Sequence, residues 1–536
     1  MAIARAAWAF ETVAAGYDRR HSRNWHIVGG YRPPLQRAAG ANMNLNVKTW
    51  IAGGYLVAMV SLGFGATSDL RLIQSVKSKD VTAVRALLKA RADVNATQGD
   101  GATALHWAVH YDDLATTDLL LRAGARVNVA NDLGVTPLYL ACTNRNASMV
   151  EKLLGAGANA NARLLNGETV LMNCARTGNA ASVKALVAAE ADINAKESEH
   201  DQTALMWAAA QKHPEVVQVL LQAGADIRAR SRTYAQTVTS ESTQRAGREE
   251  LNYTLLRGGS TPLLFGASSG DAESVRLLLA AGADVNSTLP NGMTALVLAA
   301  YSGHGSAAKV LLDGGADPNA GTAGYTALHA AVLRNDLGLV NELLVHGANP
   351  NAQITKGTPI RRNSQDFNLP ATLIGATPYW LAAKFVEADL MRALVARGAD
   401  PQMSIKDGTT PLMAAAGLKE GNGSDRRGVS LLDGGKLPDD SHVVEAMTVA
   451  LLQNGDINAV NRNGDTALHA AALMGYDRVV KLLADKGAQL NVKNNRGLTP
   501  LAALTGRPQT GAASANRAEA LHPSTVELLR KLGAVE

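Results

Sequence analysis

A short motif recurs along the sequence at a spacing of about 33 residues. In most copies it reads Gly-x-Thr, then Pro or Ala, then Leu, as in Gly-Ala-Thr103-Ala-Leu-His and Gly-Asp-Thr466-Ala-Leu-His. Its threonines stand at positions 103, 136, 169, 203, 261, 294, 326, 377, 410, 466 and 499. Three longer steps, of 58, 51 and 56 residues, interrupt this series. A fixed period of this length predicts an array of small stacked units rather than several independent globular domains.

Each copy of the motif predicts two helices joined by a turn. The threonine hydroxyl caps the first helix, and proline follows it in five copies, where its missing N–H leaves no bond unmade. After Gly475 the run Val-Val-Lys-Leu-Leu places its apolar side chains on one face of a second helix, which Gly487 ends. Aromatic residues make up only 4% of the chain, so Ala, Leu and Val must fill the core of closely spaced helices.

These residues strongly resemble the ankyrin repeat, whose signature is Gly-x-Thr-Pro-Leu-His-x-Ala-Ala. The resemblance covers residues 69–536, as eleven motif-bearing units and a leading unit at 69–97. It implies an all-α solenoid of about 12 helix-turn-helix units with β-hairpin-like fingers and atypical terminal units. Four departures from the family pattern predict irregular junctions. Arg91 and Glu190 stand where Gly ends a helix, and Arg228 and Gln402 replace the usual finger Asn.

The three long steps predict loop inserts at about 229–257, 354–374 and 418–441, and the last unit is stretched at about 506–523. The first two inserts fall in fingers, which edge the concave surface of the family together with the first helices. The third insert falls between the two helices of its unit, and the stretched part of the last unit lies between the two helices of that unit. Inserts on one side of a solenoid indicate a binding face, whereas the alternative is tolerated drift, since long loops cost little closure entropy.

The front of the chain resembles a secretory signal. An apolar run at 50–64 follows Lys48 and ends in Gly-Phe-Gly, which predicts cleavage near Ala66. Signal peptides begin close to the N-terminus, yet 42 residues precede Met43. We therefore expect Met43 to be the start of translation.

Residues 1–42 are then a disordered or untranslated extension, and residues 43–65 are the signal peptide. If residues 1–42 are made, the apolar run becomes a short signal anchor, and residues 50–66 are the only contact with a membrane. Both alternatives place the repeat domain, residues 66–536, in the periplasm or the medium. A cytoplasmic protein with an uncleaved tail is the remaining alternative.

The charge distribution gives no argument for a nucleic-acid partner. The net charge is +5, and residues 1–65 carry seven basic and two acidic side chains, so the rest of the chain is neutral. Two cysteines exclude a disulfide-dense scaffold, and no Cys/His spacing indicates a zinc site. We expect no cofactor and no metal.

No catalytic motif for nucleophilic, phosphate-binding, dinucleotide-binding or metalloprotease chemistry occurs in the sequence. His304, in Gly-His-Gly-Ser, falls where the family has the turn between helices, so a structural role is favoured over a catalytic one. We therefore expect a protein that is not an enzyme.

The resemblance also implies which side chains face a partner: the residue before each threonine and those seven and eight positions after it. Tyr, Phe and Arg at such positions are typical of interface hot spots, although scattered exposed aromatics occur in any repeat protein. The basic and aromatic residues of the first two inserts are added because they would suit an acidic or phosphorylated segment. The predicted contacts are His110, Tyr111, Asn144, Arg176, Tyr301, Tyr325, Arg334, Lys384, Phe385, Arg230, Arg232, Tyr234, Arg361 and Arg362.

Other polar and aromatic residues of the motif have structural interpretations. Trp107 and Trp207, four residues after their threonines, are expected in the core. The motif histidines, at 106, 329 and 469, hydrogen-bond within the turn in this family and lie too far apart to share a metal. Cys142 and Cys174 occupy Ala positions of neighbouring first helices, where buried free thiols are expected and a disulfide is the alternative.

The resemblance implies a noncatalytic, monomeric scaffold that binds a segment of a partner protein in the concave groove. The alternative is small-molecule binding or catalysis built from the inserts. The sequence does not identify the partner.

Overall fold

The structure is a computed structural model. It describes residues 70–240, 251–358, 369–418, 440–505 and 522–536, apart from the side chains of 238–240 and 251–253. The predicted extension 1–42, the segment 43–65 and large parts of the later inserts and of the final stretch lie outside these residues. The contacts divide the chain into two compact parts: an N-terminal block ending at Ser198 and a C-terminal block from Glu199 to Glu536.

The described residues form twelve pairs of antiparallel helices, which confirms the predicted all-α solenoid of helix-turn-helix units. In the N-terminal block the helices are α1 Arg71–Lys77, α2 Val81–Lys89, α3 Ala104–His110, α4 Leu114–Arg122, α5 Pro137–Thr143, α6 Ala147–Gly155, α7 Val170–Thr177 and α8 Ala180–Ala188. In the C-terminal block they are α9 Ala204–Ala210, α10 Pro214–Gln222, α11 Pro262–Ser269, α12 Ala272–Ala280, α13 Ala295–Ser302, α14 Gly305–Asp313, α15 Ala327–Arg334, α16 Leu337–Val345, α17 Pro378–Lys384, α18 Ala388–Val395, α19 Pro411–Ala415, α20 Asp440–Leu452, α21 Ala467–Met474, α22 Asp477–Asp485, α23 Pro500–Thr505 and α24 Pro523–Lys531.

Within each block the odd-numbered first helices pack side by side, as α3 does on α1 and α5 and as α13 does on α11 and α15. The motif threonines start these helices. Thr136 accepts a hydrogen bond from the backbone N–H of Tyr139, and Thr261 accepts one from that of Leu264. The hydroxyl therefore satisfies a backbone donor that the first helical turn leaves unpaired.

Asparagines of the fingers join each repeat to the next. The Nδ2 of Asn128 donates to the carbonyl of Gly157, and its Oδ1 accepts from the backbone N–H of Asn159. At the predicted irregular junction Gln402 keeps this donor, because its Nε2 reaches the carbonyls of Gln453 and Asn454. One polar side chain thus satisfies backbone groups of two neighbouring repeats.

The motif histidines bond inside their own turn, as expected, and also to the next repeat. His106 Nδ1 lies 3.0 Å from the Thr103 hydroxyl, and its Nε2 lies 3.0 Å from the carbonyl of Val135. His329 and His469 make the same pair of contacts. Burial lowers the pKa of all three imidazoles, and that of His329 falls to about 4.

The first insert contains a β-hairpin. Strands β1, Tyr234–Ser240, and β2, Leu251–Arg257, pair antiparallel from Tyr234 opposite Arg257 to Ser240 opposite Leu251. The backbone N–H of Ser231 donates to the carbonyl of Ser260, which closes the base of the insert. The second insert contains a short 3₁₀ turn, Ala371–Leu373.

Several turns hold residues other than glycine in the left-handed conformation. Arg91 and Glu190 have φ of 59° and 60°, so both take the conformation that glycine supplies elsewhere in the array. Val386, between α17 and α18, has φ of 53°. A β-branched residue is the most strained of these, because its Cβ substituents crowd the neighbouring carbonyl.

Replacing Val386 by glycine should therefore stabilise the protein. We expect Val386→Gly to raise the free energy of unfolding by about 1 kcal/mol, measured by urea unfolding, because the left-handed strain is removed. Val386→Ala is the matched control and should gain less, since it keeps a Cβ. A loss of stability in the glycine variant would show that packing of the valine methyl groups outweighs the strain.

The buried histidines predict acid sensitivity. Because the folded pKa of His329 lies near 4 and the ordinary value is 6.5, the unfolded chain binds this proton more tightly. The free energy of unfolding should be at its plateau above pH 6.5 and fall as the pH drops to about 4, by roughly 3 kcal/mol for this one residue. Urea unfolding across this range measures the loss. His329→Gln should flatten part of the profile, and an unchanged slope would contradict the assignment.

Candidate functional site

The predicted contacts of the N-terminal block lie at the C-terminal ends of its first helices. His110 and Tyr111 are half-buried there, with ring centroids 5.2 Å apart. The Tyr111 ring lies 5.8 Å from that of Trp107, and the Lys79 Nζ lies 5.0 Å above Tyr111. The two predicted residues therefore form the partly exposed edge of an aromatic cluster.

Asn144 has a structural partner that the sequence does not reveal. Its Nδ2 donates to the carbonyls of Val109 and His110, at 2.8 and 3.2 Å. These bonds join the end of α5 to the end of α3. Part of this side chain's hydrogen-bonding capacity is thus already used inside the protein.

Arg176 belongs to a buried polar cluster. Its Nη2 lies 2.7 Å from Asn173 Oδ1 and 3.8 Å from Glu168 Oε1. The Tyr139 hydroxyl donates to the same Glu168 oxygen at 2.7 Å. Burial raises the pKa of Glu168, while Arg176 acts against that shift, and the nearby Glu197 adds to it.

Sequence reasoning missed Glu168, Tyr139 and Asn173. Two signals could have identified them: Tyr139 occupies the motif position of histidine, and Glu168 places a carboxylate directly before a capping threonine. A carboxylate that is 8% exposed needs hydrogen-bond donors, and the preceding repeat supplies one.

Tyr301 and Tyr325 differ from the expectation that they face a partner. They are only 9% and 5% exposed, and their rings lie 6.1 Å apart. Burial raises the pKa of Tyr325. The two rings pack beside Ala-rich helices, and each ring fills space that the other does not. They therefore present little surface to a ligand.

The remaining groove positions of the C-terminal block are partly exposed. Arg334 is half-buried, and its Nε donates to the carbonyl of Tyr301 at 2.7 Å. Lys384 and Phe385 end α17, with the ammonium 5.8 Å from the ring centroid. They directly precede the strained Val386.

The arginines of the first insert hold its base. Arg230 Nη1 donates to the carbonyls of Gly259 and Thr288, at 2.8 and 3.0 Å. Arg232 binds both carboxylate oxygens of Asp201, and the Tyr234 ring lies 5.9 Å from that of His200. These side chains already have partners within the chain. Arg361 and Arg362 lie outside the described residues.

The two tryptophans differ in burial. Trp107 is 7% exposed, which confirms its placement in the core, whereas Trp207 is only half-buried. The large indole is seldom buried completely, although Trp380 of the same array is. The His304 ring packs on Gly270, where a Cβ would lie 2.4 Å from the ring, and burial lowers its pKa. This contact is the turn role expected for His304.

Cys142 and Cys174 form a disulfide, so the expectation of two free thiols is wrong. Both residues are fully buried, and their Cα atoms lie 4.7 Å apart on the adjacent helices α5 and α7. The two cysteines occupy small-residue positions where the two helices approach closely, which brings their sulfur atoms into bonding range. The bond joins two repeats beside Tyr139 and Arg176.

The described residues contain neither a metal-binding cluster nor a membrane-spanning helix. This part of the chain holds no group of three or more His, Cys, Asp or Glu side chains placed to bind a metal ion. Within the same residues, no helix is both long and apolar enough to span a bilayer. The predicted signal segment, residues 43–65, lies outside the described residues.

Comparison with known proteins gives one family. A model of ankyrin repeats, in three copies, matches residues 72–163, 144–231, 258–354 and 441–508, which together exceed half of the chain. The Neurogenic locus notch homolog protein 1 of Xenopus tropicalis is 30% identical over 173 residues, 32% of this chain and 6% of that protein. A Putative ankyrin repeat protein of Rickettsia bellii is 38% identical over 64 residues, 12% of this chain and 27% of that protein. The chain thus spans a small part of the length of either relative.

The disulfide should contribute measurably to stability. A closed loop of this length stabilises a fold by about 4 kcal/mol, chiefly by restricting the unfolded chain. We expect dithiothreitol to lower the free energy of urea unfolding by that amount. The Cys142→Ser/Cys174→Ser variant should have the lower stability with or without dithiothreitol. A wild type whose unfolding is insensitive to dithiothreitol, although thiol titration confirms reduction, would contradict this contribution.

Proposed function

The chain belongs to the ankyrin repeat family, and from that premise we propose that it is a noncatalytic scaffold holding a segment of a partner protein in its groove. Ankyrin repeats indicate a protein-protein interaction scaffold. The groove itself is supported by one observation: partly exposed His110, Tyr111 and Arg176 recur at equivalent ends of first helices above a buried core. Rigid aromatic and arginine side chains on a packed support lose little entropy on binding.

The N-terminal block is the favoured part of this groove. Arg230, Arg232 and Arg334 already donate to groups of the chain, and Tyr325 is buried, so these residues contribute little to recognition. The hairpin of the first insert extends a finger instead. The hairpin contributes to recognition through the shape of its backbone, because a partner segment that lies on the fingers contacts the strands rather than the arginines.

We also propose that the repeat domain is exported. A disulfide between fully buried cysteines is typical of proteins that fold in an oxidising compartment. The basic and apolar sequence before Ala66 supports the same location. The partner is then an extracytoplasmic protein.

Groove substitutions test the scaffold. After crosslinking in fractionated cells, the wild type should capture a defined protein, and Tyr111→Ser with Arg176→Gln should reduce its recovery about tenfold, as expected for two contact residues. Mass spectrometry of the crosslinked product measures the recovery of the captured protein. Lys184→Gln, exposed on the second helix α8, is the control and should leave capture unchanged. Equal recovery from all three proteins would contradict groove binding.

The hairpin is tested separately. Tyr234 pairs with Arg257, so an Asn-Gly turn can replace residues 235–256 and close the finger without strain. Capture should weaken while cooperative unfolding is kept. Full capture by the shortened chain would exclude a role for this insert and leave the groove assignment intact.

A further inference from the structure

A cavity of about 330 Å³ lies at the start of the N-terminal block, between α1 and the following finger. Residues on one face of α1 form one wall, and a glutamine of the finger forms the other. The lining residues are Leu70, Arg71, Ile73, Gln74, Lys77 and Gln98. None of the contacts predicted from the sequence lies among them.

The lining chemistry favours an anion. Two cationic and two amide side chains line the cavity, and no carboxylate does. The acidic residue that acts on Lys77 is Asp100, whose Oδ1 accepts from the backbone N–H of Ala102. Among the side chains that line the cavity, the charged ones are therefore cationic.

Lys77 is held in a fixed position. Its Nζ donates to Gln98 Oε1 at 2.8 Å and lies 4.1 Å from the Trp107 ring centroid. The Trp107 Nε1 donates to the same Gln98 oxygen at 3.1 Å. Burial lowers the pKa of Lys77, and Asp100 only partly opposes this, so the ammonium is desolvated without a directly bonded carboxylate.

The amides supply further donors. Because Gln98 Oε1 accepts from both Lys77 and Trp107, the amide orientation is set and its Nε2 remains a donor. Within the residues that the structure describes, neither the Gln98 Nε2 nor the Gln74 side chain has a hydrogen-bond partner. An ammonium and two amide donors match the acceptor-only chemistry of a carboxylate.

We propose that this cavity binds an acidic side chain, Glu or Asp, of the partner segment. The inference rests on the proposed groove function and names the partner's chemistry. Leu70, which is 44% exposed, provides apolar surface for the methylene groups or for an adjacent apolar residue. The volume lies at the small end of ligand pockets, so it takes one or two side chains rather than a cofactor.

Two matched peptides test the proposal on the full chain. Acetyl-Leu-Glu-Ala-Glu-Leu-amide should bind about tenfold more tightly than its Gln counterpart in isothermal titration calorimetry, because only the Glu peptide pairs with the ammonium. Its binding should change the fluorescence of Trp107, which lies against Lys77, and this change should be absent in Trp107→Phe. Lys77→Gln should remove the preference for the Glu peptide.

Controls separate the outcomes. Lys89→Gln, exposed on α2, makes the same charge change and should keep the preference. Arg71→Gln, on an exposed residue of the lining, should reduce the preference even if the Lys77 variant proves unstable. Equal binding of the two peptides, or binding of neither, would overturn the carboxylate site. Capture of the partner in crosslinked cells would then still support the scaffold.

The source of the carboxylate is tested in the same way. Glutarate carries two carboxylates without a peptide backbone, and we expect it to bind at least tenfold more weakly than the Glu peptide. Glutarate binding as tight as that of the peptide would overturn the assignment to a protein segment. It would indicate a free small carboxylate as the ligand.

Discussion

In five repeats of the described chain, a hydrogen bond between neighbouring repeats runs from the third residue after one threonine to the residue before the next. In three repeats the donor side is the motif histidine, as in His106 to Val135. Trp380 takes its place with a bond from Nε1 to the carbonyl of Thr409 at 2.9 Å. In another repeat, the Tyr139 hydroxyl takes this place and donates to the carboxylate of Glu168. In these five repeats, different side chains meet one constraint, since each of them bonds to the finger of the next repeat.

This constraint determines which polar residues remain for recognition. Side chains at the ends of first helices lie close to the backbone carbonyls of the first helix of the preceding repeat. Polar side chains at these positions therefore donate to those carbonyls. Asn144 bonds to Val109, and Arg334 bonds to Tyr301. A polar residue at a surface position of the repeat is therefore not evidence of a binding contact by itself. The rings of His110 and Tyr111 remain more informative, because they contact one another and Trp107 and stay partly exposed.

The repeat spacing predicted the helices well because capping and apolar periodicity act locally. The threonine bonds and the left-handed turns need only a few neighbouring residues, which the motif contains. Burial of Tyr301 and Tyr325 depends on two rings from different repeats, and no local pattern shows that pairing. The disulfide likewise depends on the distance between α5 and α7, which the spacing of 32 residues leaves open.

The N-terminal block combines a buried carboxylate, which is costly to desolvate, with a disulfide bond. Glu168 is a buried carboxylate whose partners come from two helices: Tyr139 on α5 donates a hydrogen bond to it, and Arg176 on α7 forms an ion pair with it at 3.8 Å. Any opening between these helices would leave the carboxylate without its nearest partners, at a cost of several kcal/mol in an apolar environment. The disulfide joins the same two helices and restricts that opening. Because Arg176 is one of the contacts proposed for the groove, the covalent link would hold this part of the proposed surface in one geometry and reduce the entropy that a bound segment must offset.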